Sequence, residues 1–257
     1  MPINFHSKDI KTSYTTRTAD SSWKDLLSRH IDFPSISLAA DIGCGGGIYA
    51  KALIDLGVSE VVGIDFSESI LEGAREACQN YPSIHFNYGS ASKTNLEDSS
   101  VEAILERALI HHIQDLLPVF QEAHRVLKND GVYIVQDRTP EDCLLTGSEE
   151  HIRGYFFELF PHLGKMEEKR RHRSAEVIRA MSNAGFSKVE TIPLWETRNV
   201  YEKKEQLLQD IQTRTGRSIL HDLTDDQLQS LVEHIDKQLP DGKVTEKDRW
   251  TIWLAYK

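Results

Sequence analysis

The chain reads as an α/β protein built on a doubly wound parallel sheet, and three observations predict this. Short apolar runs alternate with amphipathic helical stretches from Leu38 onward, at the spacing of strand–helix–strand units. The first run empties into a glycine-rich turn that opens directly into a helix. The length, 257 residues with 39% hydrophobic and 27% charged residues, suits one α/β domain with insertions, or one domain plus a cap, with a full core.

The elements follow in order. Residues 1–30 are polar with scattered aromatics and end in a short amphipathic stretch of Trp23, Leu26 and Leu27, and 1–34 is expected to be a helical segment. Strands are expected at 38–42, 60–65, 85–89, 103–107 and 132–136, where β-branched and aliphatic residues cluster. Between them lie a helix over 48–56 closed by Gly57, one capped by Ser67, and one over 116–127. The core formed by 35–139 is followed by a helical insertion over 140–173. There Ile152, Tyr155, Phe156, Leu159 and Phe160 fall at helical spacing before Pro161, as a lid or as core packing. Residues 174–257 return to the core. Ser174 caps a helix ending at Gly185, a strand is expected over 188–194, and the aromatic run 250–256 closes the sheet. A second helical insertion, 199–245, carries the capping box Thr224–Gln227 ahead of Leu228, Leu231, Val232 and Ile235 on one face.

Composition narrows the function classes. A net charge of −10 argues against nucleic acid or an anionic membrane surface as the main partner, since both repel it. Cys44, Cys78 and Cys143 include no CxxC pair, so neither a disulfide framework nor a metal site is expected. No signal-peptide core or bilayer-length apolar run is present, which points to a cytoplasmic protein.

The most informative stretch is Asp41-Ile-Gly43-Cys44-Gly45-Gly46-Gly47. Glycines at alternate positions let a nucleoside ligand lie against bare backbone, and the helix that follows offers unpaired N–H groups. Asp65, closing the second strand with Phe66 behind it, can accept from both ribose hydroxyls. The loop also fits a dinucleotide fingerprint, which keeps an NAD(P)-dependent oxidoreductase among the alternatives. Asp41 favours a different ligand: a carboxylate there pairs with the ammonium of a sulfonium amino acid but repels a pyrophosphate.

With these residues in view, the segment resembles the class I S-adenosyl-L-methionine-dependent methyltransferases, in the small-molecule branch of the quinone-biosynthesis C-methyltransferases. Asp41–Gly47 matches that family's first motif and Asp65 its ribose acid. His111-His112-Ile-Gln-Asp115 matches the segment after the fourth strand, and His124-Arg-Val-Leu-Lys128 with Gly131 the turn before the fifth. The resemblance covers about residues 35–138. It implies a Rossmann-like sheet of seven strands with one antiparallel strand near an edge, and methyl transfer to a small acceptor with S-adenosyl-L-homocysteine as product. A regulator that holds adenosylmethionine without turnover is the alternative. Implied cofactor contacts are Tyr14 and Arg17 in the amino-terminal segment, Asp41, Gly43, Cys44, Gly45, Gly47, Asp65, Phe66, Ser90, Ala91, and the main chain of Glu106 and Arg107. Ser90 stands where the family has an acidic residue.

His111, His112, Asp137 and Arg138 follow the fourth and fifth strands and are the catalytic candidates, an imidazole being suited to general-base work. Arg138 and Arg153, with Tyr155 and Phe156, would suit a partly apolar acceptor bearing a negative group. The basic run 169–173 reads as a solvated helix face through the i,i+4 pair Glu167–Arg171. Cys44 has no basic neighbour in sequence that would make it a nucleophile.

Overall fold

The computed structural model describes residues 18–257, so Tyr14 and Arg17 lie outside the described residues. In chain order the elements are α1 (Ser21–Leu27), β1 (Leu38–Ile42), α2 (Ile48–Asp55), β2 (Glu60–Asp65), α3 (Glu68–Ala77), β3 (Ile84–Tyr88) and β4 (Val101–Arg107). There follow α4 (Leu117–Val126), β5 (Leu127–Asp137), α5 (Pro140–Cys143), α6 (Arg153–Leu159), α7 (Pro161–Arg170) and α8 (Ser174–Ala184). The chain closes with β6 (Lys188–Tyr201), α9 (Lys204–Gln212), α10 (Asp225–Gln238) and β7 (Val244–Tyr256). They fall into two compact units. One comprises the chain to Asp137 with Ser174–Leu194 and Thr251–Lys257; the other comprises Arg138–Arg173 and Trp195–Trp250.

The sheet has seven strands in the order β3-β2-β1-β4-β5-β7-β6. The β1–β2, β1–β4, β2–β3 and β4–β5 pairs are parallel. β7 runs antiparallel to β5, from Val132 opposite Tyr256 to Asp137 opposite Thr251. In the first unit, alternate side chains of each central strand enter two separate cores. Ala40, Ile42, Val62, Ile104, Tyr133, Val135 and Trp253 pack with Phe120 and Ala123 of α4 and with Val177 and Met181 of α8. Their neighbours Ala39, Val61, Ala103, Leu105, Ile134 and Leu254 pack with Trp23 and Leu27 of α1 and with Ala50 and Leu53 of α2. Helices therefore cover both faces, as the doubly wound pattern requires.

Element edges differ from expectation where side-chain polarity hid them. β7 begins at Val244 because Glu246 and Asp248 occupy buried positions of its alternating pattern, where acids are rare. β3 is shifted one residue toward the amino terminus. Ser67 stands at the cap position of α3 but its hydroxyl makes no capping bond; its N–H donates to Asp65 instead, at 3.0 Å. Ser174 lies inside α8, and its hydroxyl accepts from the Trp253 indole at 2.9 Å.

In the second unit, Tyr155, Phe156, Leu163, Leu207, Ile211, Leu228, Leu231 and Ile235 form the apolar core. Pro161 both ends α6 and opens α7 at its first position, where a missing N–H costs nothing. The Thr224–Gln227 capping box is present, with the Gln227 N–H donating to the Thr224 hydroxyl at 3.3 Å. Buried ion pairs line this unit: Arg138–Asp248 at 3.1 Å, Arg153–Glu167 at 3.1 Å, Arg171–Glu167 at 2.5 Å and Arg217–Glu246 at 2.7 Å. The Glu167–Arg171 pair is thus not a solvated helix face, since Glu167 is 0% exposed. No helix among the described residues is long and apolar enough to cross a membrane.

Candidate functional site

The strand order reverses its direction of growth between β1 and β4, and in open α/β sheets ligands bind at the carboxyl ends of the strands flanking such a point. The sequence-derived site residues of the first unit gather at those ends. After β1, Gly43, Gly45 and Gly47 take φ of 72°, 52° and 76°, left-handed backbone that L side chains rarely adopt. Space compounds conformation at Gly47, where a Cβ would lie 2.7 Å from the Cys78 sulfur and 3.0 Å from the Phe86 ring.

Asp65 fastens this loop. One oxygen accepts from the Gly45 N–H at 3.2 Å and the other from the Ser67 N–H at 3.0 Å. The ribose acid expected from sequence is therefore also a brace for the glycine turn, and burial pushes its pKa up against those donors. Phe66 beyond it is 41% exposed. After β3, Ser90 is exposed and pairs with Lys93 through both backbone hydrogen bonds, with Ala91 inside the turn.

Asp41 is 2% exposed and its Oδ2 has no hydrogen-bond partner among the described residues. Burial pushes its pKa up to about 7, opposed by the Ala50 amide at the start of α2, while Asp65 raises it and Arg107 lowers it. Arg107 lies over the Tyr49 ring at 4.4 Å, and Tyr49 meets Trp23 edge-on at 5.0 Å. A chain of rings thus joins the end of β4 to α1. Sequence reasoning missed Tyr49, which in sequence is one more apolar residue in the first turn of α2.

Glu106 differs from its neighbour. Its side chain shares the face of Ile104, is 0% exposed, and sits beside Tyr133, with neither oxygen hydrogen-bonded among the described residues. Burial pushes it up to about 8, the Tyr133 hydroxyl opposing. Only main-chain atoms of Glu106 remain for the cofactor role expected of it. Cys44 is buried and its thiol is pushed well up by burial, so it has no nucleophilic character at neutral pH.

The turn after β4 packs on the glycine loop: a Cβ at Gly43 would meet the Leu109 side chain at 3.1 Å. That turn carries His111 and His112, their rings 4.0 Å apart, with His112 exposed. His111 is tied to Asp137 at the end of β5. The carboxylate lies 2.8 Å from Nδ1 and also accepts the His111 N–H at 3.2 Å. The two residues are 26 apart in sequence, and the parallel β4–β5 pairing, with Arg107 opposite Gln136, brings them together.

Arg138, Arg153, Tyr155 and Phe156 belong to the second unit. Arg138 pairs with Asp248 and stacks over the Trp250 ring at 4.7 Å; Arg153 pairs with Glu167. Tyr155 and Phe156 are core residues, 7% and 1% exposed. The sequence pointed to free cations beside accessible aromatics. The structure holds guanidinium groups balanced by buried carboxylates and rings closed into a core, because Asp248 and Glu167 supply the counter-charge. No cluster able to hold a metal ion occurs among the described residues.

Comparison with known proteins bears on this geometry. Residues 40–135 match a family model described as a methyltransferase domain. The demethylmenaquinone methyltransferase of Lysinibacillus sphaericus is 28% identical over 149 residues, covering 57% of this chain and 63% of that protein. The demethylmenaquinone methyltransferase of Bacillus licheniformis is 27% identical over 168 residues, 64% of this chain and 71% of its own. In fold, the chain is similar to a protein of Anabaena variabilis assigned as a methyltransferase from an antibiotic biosynthesis pathway, with TM-score 0.68 and 21% identity, over 93% of this chain and 98% of that one. Phosphoethanolamine N-methyltransferase 2 of Haemonchus contortus, in complex with S-adenosyl-L-methionine, gives TM-score 0.57 and 16% identity over 99% of this chain and 60% of that one.

Proposed function

We propose that the chain is a class I adenosylmethionine-dependent methyltransferase, in keeping with the methyltransferase domain model matched by residues 40–135, and that it moves the methyl group of adenosylmethionine to a small-molecule acceptor. The observation that carries this reading is the buried Asp41 carboxylate, with one oxygen lacking a partner among the described residues, at the head of a loop of left-handed glycines braced by Asp65. Such a carboxylate is costly to bury without a counter-charge, and a ligand ammonium supplies one. The residues fit the group: Asp41 for the ammonium, Asp65 for the ribose hydroxyls, Phe66, Ser90 and Ala91 toward the base, and the main chain of Glu106 and Arg107 along the amino-acid portion. Tyr14 and Arg17 complete the reading at the methionine carboxylate.

Bound adenosylmethionine supplies a methyl group already activated by its sulfonium. The protein's work is then to align the acceptor and exclude water, which can account for most of the acceleration. The quinone precursor in the relatives' names and the phosphoethanolamine of the structural neighbour are different acceptor chemistries, and what they share is only that each is a small molecule. Three free cysteines, all buried, and the net charge of −10 support a cytoplasmic enzyme without a nucleic-acid partner.

Ligand-dependent unfolding tests the reading. Adenosylmethionine or adenosylhomocysteine at about 100 times its Kd should stabilise the fold by ~2.7 kcal/mol, and NAD should not. A shift with NAD and none with either adenosyl ligand refutes it.

A further inference from the structure

We propose that the base end of the cofactor site meets the exocyclic amine of adenine with nothing but the Ser90 hydroxyl, on a turn fixed beneath it, so that adenosyl ligands substituted on that amine, or lacking it, bind nearly as well as adenosylhomocysteine. This rests on the methyltransferase reading above.

The hydrogen bonds of the turn after β3 carry the inference. The Tyr88 carbonyl accepts from the Asn95 side-chain amide at 3.1 Å, and the Gly89 N–H donates to the Asp65 carbonyl at 3.1 Å. The N–H and the carbonyl of Ser90 are both taken by Lys93, each at 3.0 Å. Thr94, 0% exposed, donates from its N–H and from its hydroxyl to one oxygen of Glu122 on α4, at 2.8 and 2.6 Å. Gly89 is closed in as well: a Cβ there would lie 2.8 Å from the Thr94 carbonyl oxygen and 2.9 Å from the Ile64 side chain. The turn is thus tied to β2 on one side and to α4 on the other, and moving it to suit another base would break a buried pair. Its main chain at Ser90 has both polar groups already occupied.

What residue 90 offers a ligand is therefore its side chain. The hydroxyl meets that of Ser92 at 3.5 Å, too long to fix its orientation. A hydroxyl turns to donate or to accept, so it tolerates an amine, a substituted amine or a bare ring edge. A carboxylate can only accept and would demand an N–H, but the turn over 89–94 reads Gly-Ser-Ala-Ser-Lys-Thr and contains none. Ser90, Ser92 and Lys93 are all exposed, which leaves room beside the exocyclic position.

The faces of the base have broader support than its edge. Tyr88, 56% exposed, ends β3 directly opposite Asp65 in register, and Phe66, 41% exposed, follows Asp65. Aromatic surface of this kind takes any purine face, whatever the ring carries at its edge.

The test uses the full chain, two variants and three ligands: adenosylhomocysteine, its N6-benzyl derivative, and its analogue with purine in place of adenine. Calorimetry on the wild type should give both analogues a Kd within about tenfold of that for adenosylhomocysteine, the span of one neutral hydrogen bond. In Ser90→Asp the ratio between the purine analogue and adenosylhomocysteine should widen by roughly 10–100-fold, because a charged acceptor facing a C–H loses its partner. Ser90→Ala, which adds no charge to an exposed turn, should bind those two ligands equally. A wild-type loss of more than about tenfold for either analogue overturns the proposal. So does a Ser90→Asp ratio equal to that of the wild type. Binding of adenosylhomocysteine with rejection of both analogues overturns this proposal alone, whereas failure of the wild type to bind adenosylhomocysteine overturns the reading beneath it.

Discussion

Glu106 offers a measurement of stability whose sign and size follow from its surroundings. The carboxyl is fully buried beside Tyr133, has no hydrogen-bond partner among the described residues, and is raised by that burial from 4.5 to about 8. Between those values the folded chain keeps the proton that the unfolded chain has released. The favourable contribution is fully present below pH 4.5 and is lost as pH rises toward about 8. Each unit within that window costs about 1.4 kcal/mol. Glu106→Gln has nearly the same shape and no proton to lose, so its stability relative to wild type should climb by about 2 kcal/mol from pH 6 to pH 8 and level off above that. For a chain of this size that is a change of roughly 4–9 °C in the Tm difference. Urea or thermal unfolding of both proteins, without ligand, in matched buffers across this range provides the comparison. Asp41 and every other titrating group are common to both chains and cancel. Any fixed cost of burying an unpaired amide shifts the whole curve without changing its slope. Parallel curves would show that Glu106 is ionised in the native state and refute the reasoning.

Asp65→Ala removes the donors' partner at Gly45 and Ser67 together with the proposed ribose contact, and adenosylhomocysteine affinity by calorimetry should fall by ~10–100-fold; an unchanged Kd contradicts the assignment. Glu167→Gln leaves Arg153 and Arg171 facing one another without their shared carboxylate, and should cost ~3–5 kcal/mol in chemical denaturation. In the wild type, Glu167 is held at about 2, the neighbouring guanidinium groups overcoming its burial, so this stabilisation is present above 4.5 and is lost as pH falls toward 2; acid titration followed by near-UV circular dichroism should show it.

The sheet and its glycine turn were readable because their determinants are local. Residues 38–47 carry strand propensity, turn chemistry and a helix start in one stretch, and Asp65 closes the next strand at a fixed interval. What escaped reading depends on register. His111 and Asp137 were each legible as groups at strand ends, but their bond exists only because β4 and β5 are neighbours. Glu106 and Arg107 looked alike in sequence; one residue's difference in a strand sends the first into a dry core and the second onto Tyr49. Arg138 and Arg153 looked free because their partners, Asp248 and Glu167, lie 110 and 14 residues downstream, the first on a strand whose buried acids disguised it.

The second unit is drawn from two stretches of chain, residues 138–173 and 195–250, and the matched methyltransferase domain ends at 135, just ahead of the first stretch. These stretches differ in how they could be exchanged. The first leaves at the end of β5 and returns at the start of α8, both element boundaries, so cutting it out breaks no strand. Its Tyr155, Phe156 and Leu163, however, share one core with Leu207, Leu228 and Ile235 of the second stretch, and its Arg138 pairs with Asp248 there. The second departs and rejoins inside β6 and β7, so its removal would sever two strands of the sheet. Transplanting from a relative therefore has to move both stretches at once: 195–250 must travel together with the strands that carry it, and 138–173 must go with it to keep the core and the Lys247–Glu150 backbone bond they share.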